Sequence, residues 1–96
     1  MENQENRKAF YDKLKSRLEE TTKWPSLYLY KFIVPTDEDK IKEVETMFDN
    51  MGAVINTKKS TKGTYTSISI SLKMESPEAV IEKYQEAEKV EGIISL

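Results

Sequence analysis

Three groupings of side chains have types and spacing that could do chemistry. The first is Lys58-Lys59-Ser60-Thr61-Lys62-Gly63, ammonium groups and hydroxyls around a glycine turn. With free backbone N–H groups added, such a turn can hold an anion. Its plainer reading is a tight, solvated turn whose lysines discourage edge-to-edge strand pairing. It lacks the spacing of a phosphate-binding P-loop and does not open a helix, so no nucleotide is implied. The second grouping is Tyr65, Ser67, Ser69 and Ser71, at every second position and therefore on one side of a strand. The third is Asp37-Glu38-Asp39, which could be taken for a metal cluster but sits where a helix start favours negative charge.

What is absent narrows the chemistry further. The chain has no histidine and no cysteine. That removes the commonest general base, the usual metal ligands, the pH switch and all thiol chemistry. No serine has a histidine to activate it, so enzymatic activity is not expected, nor is a metal or any other cofactor. The net charge of −2 gives no bulk attraction for nucleic acid, which is not expected as a partner. No apolar run approaches the ~18 residues that a membrane-crossing helix needs, and the start of the chain is polar. The expected location is the cytoplasm.

The elements that must position these groups follow from patterning. Residues 1–6 are polar and are expected to fray. Phe10, Leu14 and Leu18 recur at helical spacing, with Tyr11 beside them, and predict a front helix over 7–20. Residues 26–34 (Ser-Leu-Tyr-Leu-Tyr-Lys-Phe-Ile-Val) read as a strand apolar on both faces except at Lys31. Thr36 can cap a helix whose apolar stripe is Ile41, Val44, Met47, Phe48 and Met51, with Gly52 as terminator. A weaker strand over 53–59, the turn 60–63 and a cleanly alternating strand over 64–73 form a hairpin. Ser76-Pro77-Glu78 opens a third helix, buried through Val80, Ile81, Tyr84 and Ala87, and Ile93-Ile94-Ser95-Leu96 forms a last short strand.

The order is a helix followed by β-α-β-β-α-β, an α+β chain with an antiparallel four-stranded sheet in order 4-1-3-2. Residues 1–20 are read as an extension and 21–96 as the domain. Trp24-Pro25, Tyr30-Lys31, the run Lys59-Ser60-Thr61-Lys62-Gly63-Thr64-Tyr65-Thr66-Ser67-Ile68-Ser69-Ile70 and the helix bearing Tyr84 together resemble the YbeD-like family of small uncharacterised bacterial proteins. The resemblance covers about residues 14–96 and implies a ferredoxin-like sandwich similar to the ACT regulatory domain, a module that binds small ligands.

Two expectations about surfaces follow. Leu27, Leu29, Lys31 and Ile33 should share the sheet face of Tyr65 and the serines, and the front helix should dock there through Phe10, Leu14 and Leu18. Segments 37–50 and 75–91 each carry a net −4, while the strands and hairpin carry Lys31, Lys58, Lys59, Lys62 and Lys73, so the surface should be bipolar. The expected function is a non-enzymatic regulatory or interaction module that meets a protein partner or small ligand through Lys59, Ser60, Thr61, Lys62, Gly63, Tyr65, Ser67 and Ser69. The alternative is anion or nucleic-acid-backbone binding by the basic 58–63 hairpin. A homodimer is a third reading.

Overall fold

The computed structural model describes residues 4–96, with side chains from residue 7 onward. Its elements are α1 (Gln4–Thr21), β1 (Ser26–Pro35), α2 (Glu38–Thr46), β2 (Val54–Lys59), β3 (Tyr65–Met74), α3 (Pro77–Ala87) and β4 (Ile94–Ser95). The front helix starts at Gln4, so residues 4–6 are helical rather than frayed. The expectation for residues 1–3 lies outside the described residues.

The sheet is mixed with helices as the sequence requires: four antiparallel strands in the order β2-β3-β1-β4, which is 4-1-3-2 read from the other edge. β1 and β3 pair over ten residues, with Tyr30 opposite Ile70 and Phe32 opposite Ile68. Opposed residues share a face, so one register assigns both strands. Tyr30, Phe32 and Val34 join Ile68, Ile70 and Leu72 in the core, all at 1 % exposure or less. Phe48 and Val44 of the α2 side and Val80 and Tyr84 of α3 cover them.

The caps explain where the helices begin and stop. Ser76 Oγ accepts from the Ala79 N–H at 3.2 Å, with Pro77 in the first helical position of α3. In α2 the cap is Asp37, whose carboxylate accepts from the Asp39 N–H at 2.9 Å, and not Thr36 as expected. The Thr36 hydroxyl is engaged elsewhere: it shares a 2.9 Å hydrogen bond with the buried Thr66 hydroxyl, binding the end of β1 to the start of β3. α2 is also shorter than its apolar stripe suggests. It ends at Thr46, a turn follows with positive φ at Asn50 and Gly52, and Met51 is left exposed. Lys83 of α3 donates to the Met47 carbonyl at 2.6 Å, satisfying an orphan helix-end acceptor and tying the two helices together.

The placement of α1 is the main departure from expectation. It packs on α3, among the acidic helices, and not on the serine-bearing sheet face. Tyr11 enters the core beside Tyr84, while Phe10, expected to be inward, is 62 % exposed. The physical reason is a charge match that local periodicity does not contain. Arg7, Lys8 and Lys15 of α1 line one groove with Glu78, Glu82 and Glu88 of α3. Glu88 accepts a hydrogen bond from the Tyr11 hydroxyl and pairs with Arg7 at 3.5 Å. At the other end the Trp24 indole N–H donates to the Leu18 carbonyl at 3.1 Å and the Thr21 hydroxyl to the Arg17 carbonyl at 2.7 Å, closing the helix.

The central packing carries the stability. Phe32→Ala should cost about 3–5 kcal/mol in a urea melt, because the ring is fully buried between β3 and α3. A loss below about 1 kcal/mol would mean that the strand register is reversed.

Candidate functional site

Two places gather the groups with chemical potential: the tyrosine cluster inside and the sheet face outside. Tyr28, Tyr30 and Tyr84 stack edge-to-face at centroid distances of 4.8–6.3 Å. Every hydroxyl in the cluster has a partner. Tyr28 and Tyr84 share a hydrogen bond of 2.8 Å, Tyr30 donates to the Val80 carbonyl at 3.0 Å, and Tyr11 donates to Glu88. Burial, reinforced by the neighbouring phenols, pushes Tyr30 and Tyr84 well above the ordinary tyrosine range. A phenol so raised and so enclosed is held neutral and hydrogen-bonded; it packs the core.

The other face of the sheet is different in kind. The period of two along β1 and β3 turns Leu27, Leu29, Lys31 and Ile33 outward beside Lys73, Ser71, Ser69 and Ser67. β2 adds Val54 opposite Ser71, Asn56 opposite Ser69 and Lys58 opposite Ser67. β4 adds Ile94 opposite Ile33, and the Leu96 N–H is bonded to the Lys31 carbonyl at 2.9 Å. Leu27 is 71 % exposed, Leu29 and Val54 62 % each, Leu96 63 % and Ile94 50 %. Most of the large apolar side chains exposed among the described residues therefore lie on this one face, with Phe10 and Met51 elsewhere. Since α1 is docked on α3, the face is open.

At the hairpin end of this face lies a shallow depression of about 220 Å³, lined by Ile33, Lys58, Lys59, Ser60, Thr61, Tyr65 and Ser67. It brings together Lys59, Ser60, Thr61, Tyr65 and Ser67 of the sequence-derived site. Lys62 and Gly63 do not line it; they form the tip of the turn, with Gly63 at φ +74°. Ser69 is on the same face, two positions further along β3. The turn also uses its own donors. The Ser60 N–H bonds the Tyr65 carbonyl at 2.8 Å, the Gly63 N–H bonds the Ser60 carbonyl at 2.9 Å, and the Tyr65 N–H bonds Ser60 Oγ at 3.2 Å. Those N–H groups are not available to a nest for an anion.

Residues 19–96 match the family described as Protein of unknown function (DUF493), which is the YbeD-like family. The chain belongs to this family. No curated protein and no solved structure matches it. The DUF493 segment contains the whole sheet and both helices that cover it, so the open face lies inside the family region and most of α1 outside it.

Sequence reasoning missed Val54, Asn56, Ile94 and Leu96 as members of the outward face. The signal was present for the first two: any hairpin loop of even length after Lys59 keeps Val54, Asn56 and Lys58 on the side of the serines, and the six residues between Lys59 and its partner Thr66 bring Val54 opposite Ser71. The carboxylates Asp37, Glu38 and Asp39 form the cap and first turn of α2. Among the described residues no group of three or more acidic side chains is arranged to hold a metal ion, and no helix is long and apolar enough to cross a membrane.

The enclosed phenols make a prediction about alkali. Tyr30 and Tyr84 ionise near pH 10 when unfolded and only higher when folded. The folded chain keeps protons that the unfolded chain releases, so their contribution is fully present below about pH 10 and is lost as the pH rises beyond it. Tyrosinate absorbance should therefore show at least two of the five tyrosines appearing together with loss of helical circular dichroism, and Tyr84→Phe should remove part of that dependence. Complete tyrosinate formation in a chain that is still folded would contradict this assignment.

Proposed function

We propose that this DUF493 chain is a non-enzymatic regulatory or interaction module of ferredoxin-like, ACT-like architecture, acting in the cytoplasm and engaging a protein partner or small ligand through its open sheet face. The observation that carries this reading is the concentration of exposed aliphatic side chains (Leu27, Leu29, Val54, Ile94, Leu96) on one sheet face that α1, α2 and α3 leave uncovered. Contiguous exposed apolar surface of this kind marks interaction sites. A strand order of β2-β3-β1-β4 with both crossover helices on the other face supports the architecture. The lack of histidine and cysteine, and the full satisfaction of the buried phenols, support a role in binding over one in catalysis. Anion capture by the 58–63 hairpin is the weaker reading, since the turn consumes the N–H groups of Ser60, Gly63 and Tyr65.

A photo-crosslinking residue placed at Leu29 should yield adducts with a cellular component upon irradiation in cells, whereas the same residue at exposed Glu43 on α2 should not. Adducts from Glu43 with none from Leu29 would move the interaction to the helical layer. Adducts from the same residue placed at Lys62, with none from Leu29, would favour the hairpin.

A further inference from the structure

We infer that the occupant of the open sheet face is an acidic amphipathic helix of a partner protein; this rests on the open face being the interaction surface. The relief of the face has the form of a trough. β3 contributes only small side chains along its middle, Ser67, Ser69 and Ser71, while β1 and β2 on either side raise Leu29, Ile33 and Val54. The two flanking strands are separated by two inter-strand spacings, about 9.5 Å, so a single helix, ~10–12 Å across with its side chains, can lie over β3 and touch both flanking rows. A helix laid along β3 would place an apolar ridge over the serines and rest its sides on the aliphatic walls.

Charge chooses among the occupants. Lys31, Lys58 and Lys73 project from this face, and the four strands contain no Asp or Glu. Two copies meeting face to face would bring these lysines together in a water-poor contact with no compensating carboxylate, which disfavours a second copy. The chain's own α1, which carries both signs of charge, is already committed to α3 through Tyr11 and Arg7. Nucleic acid would satisfy the lysines but needs flat rings to stack its bases, and among the strand residues of this face the one aromatic ring is Tyr65, at the hairpin end. Glutamates flanking a leucine stripe satisfy both the lysines and the aliphatic walls, as in helix-in-groove recognition. The depression bounded by Lys58, Lys59, Ser60 and Thr61 would take one of those carboxylates.

The test uses the full chain and two stapled helical peptides of about 15 residues, some 22 Å long. Both carry leucines at i, i+3, i+4 and i+7. One has glutamates at the flanking positions and the other lysines. Amide chemical shifts of the labelled protein should move along β1, β2 and β3 with the acidic peptide, and the acidic peptide should bind roughly tenfold more tightly than the basic one. The double variant Lys31→Glu, Lys58→Glu should reverse that preference; both positions are exposed, and unchanged core amides would show that it folds. Leu29→Ser should weaken both peptides. Shifts that avoid the open face, equal affinity for the two peptides, or a preference that survives the lysine reversal would overturn the assignment of the occupant. So would tighter binding of an oligouridylate to the same amides with steep salt dependence, or movement of these amides with protein concentration alone. If Leu29 yields crosslinks in cells while the peptides fail, the occupant is wrong and the interaction surface stands. If Leu29 yields none and the peptides fail, both fall.

Discussion

The ten-residue antiparallel ladder between β1 and β3, running from Ser26 opposite Met74 to Pro35 opposite Tyr65, constrains the rest of the molecule. A strand has a period of two, so fixing Tyr30 opposite Ile70 decides the side of every neighbour on both strands. One side receives Tyr30, Phe32, Val34, Ile68, Ile70 and Leu72, which suffice for a core once α2 and α3 lie over them. The other side is thereby compelled to show Leu27, Leu29 and Ile33 next to three serines. A slip by one residue would put serines and Lys31 beneath the helices and the aromatic rings into water. Burial of each such ring contributes roughly 1.5–3 kcal/mol, so no competing register approaches this one in stability.

The same ladder explains why the molecule has two unlike faces. The helices that close the core carry the acids, with Asp37, Glu38 and Asp39 drawn to the α2 start by its dipole and by the cap. The strands carry Lys31, Lys58, Lys59 and Lys73 with no Asp or Glu to offset them, and such long stems lie along apolar surface while the ammonium groups stay in water. A small net charge thus conceals an acidic helical layer and a basic sheet face. Such an arrangement orients a partner before contact, because a charge of one sign is attracted to one side and repelled from the other.

Much of this is readable in the chain because it is set by local rules. Alternation over residues 64–73 and the Ser60–Gly63 turn fix the hairpin, and Ser76-Pro77 announces α3. The parts that were not readable depend on contacts distant in sequence. Phe10 and Tyr11 are equally placed to lead the apolar stripe of α1. Tyr11 wins because Tyr84 and Glu88 stand where its ring and hydroxyl can use them, more than seventy residues away. Met51 looks like the last member of the α2 stripe, but the helix has already ended at Thr46, since Asn50 and Gly52 take positive φ. The aliphatic rim of the open face was half legible. Leu27, Leu29 and Ile33 follow from the alternation of β1, whereas Ile94 and Leu96 acquire their side only through the two-residue pairing of β4 with β1.

The position of α1 then bears on the open face indirectly. A helix attached ahead of β1 by a short link has two apolar surfaces within reach: the outer sheet face and the flank of α3. Docking on the sheet would have covered Leu29 and Ile33 but set Arg7, Lys8 and Lys15 beside Lys31 and Lys58, like charges against like. Docking on α3 sets the same cations beside Glu78, Glu82 and Glu88 and buries Tyr11 as well. Electrostatic sign and the burial of Tyr11 therefore act in the same direction. The basic character of the sheet face that turns away this helix is the character that would accept one with carboxylates along its sides, so one distribution of charge both keeps the face clear of the chain's own front helix and sets the terms on which a partner's helix can occupy it.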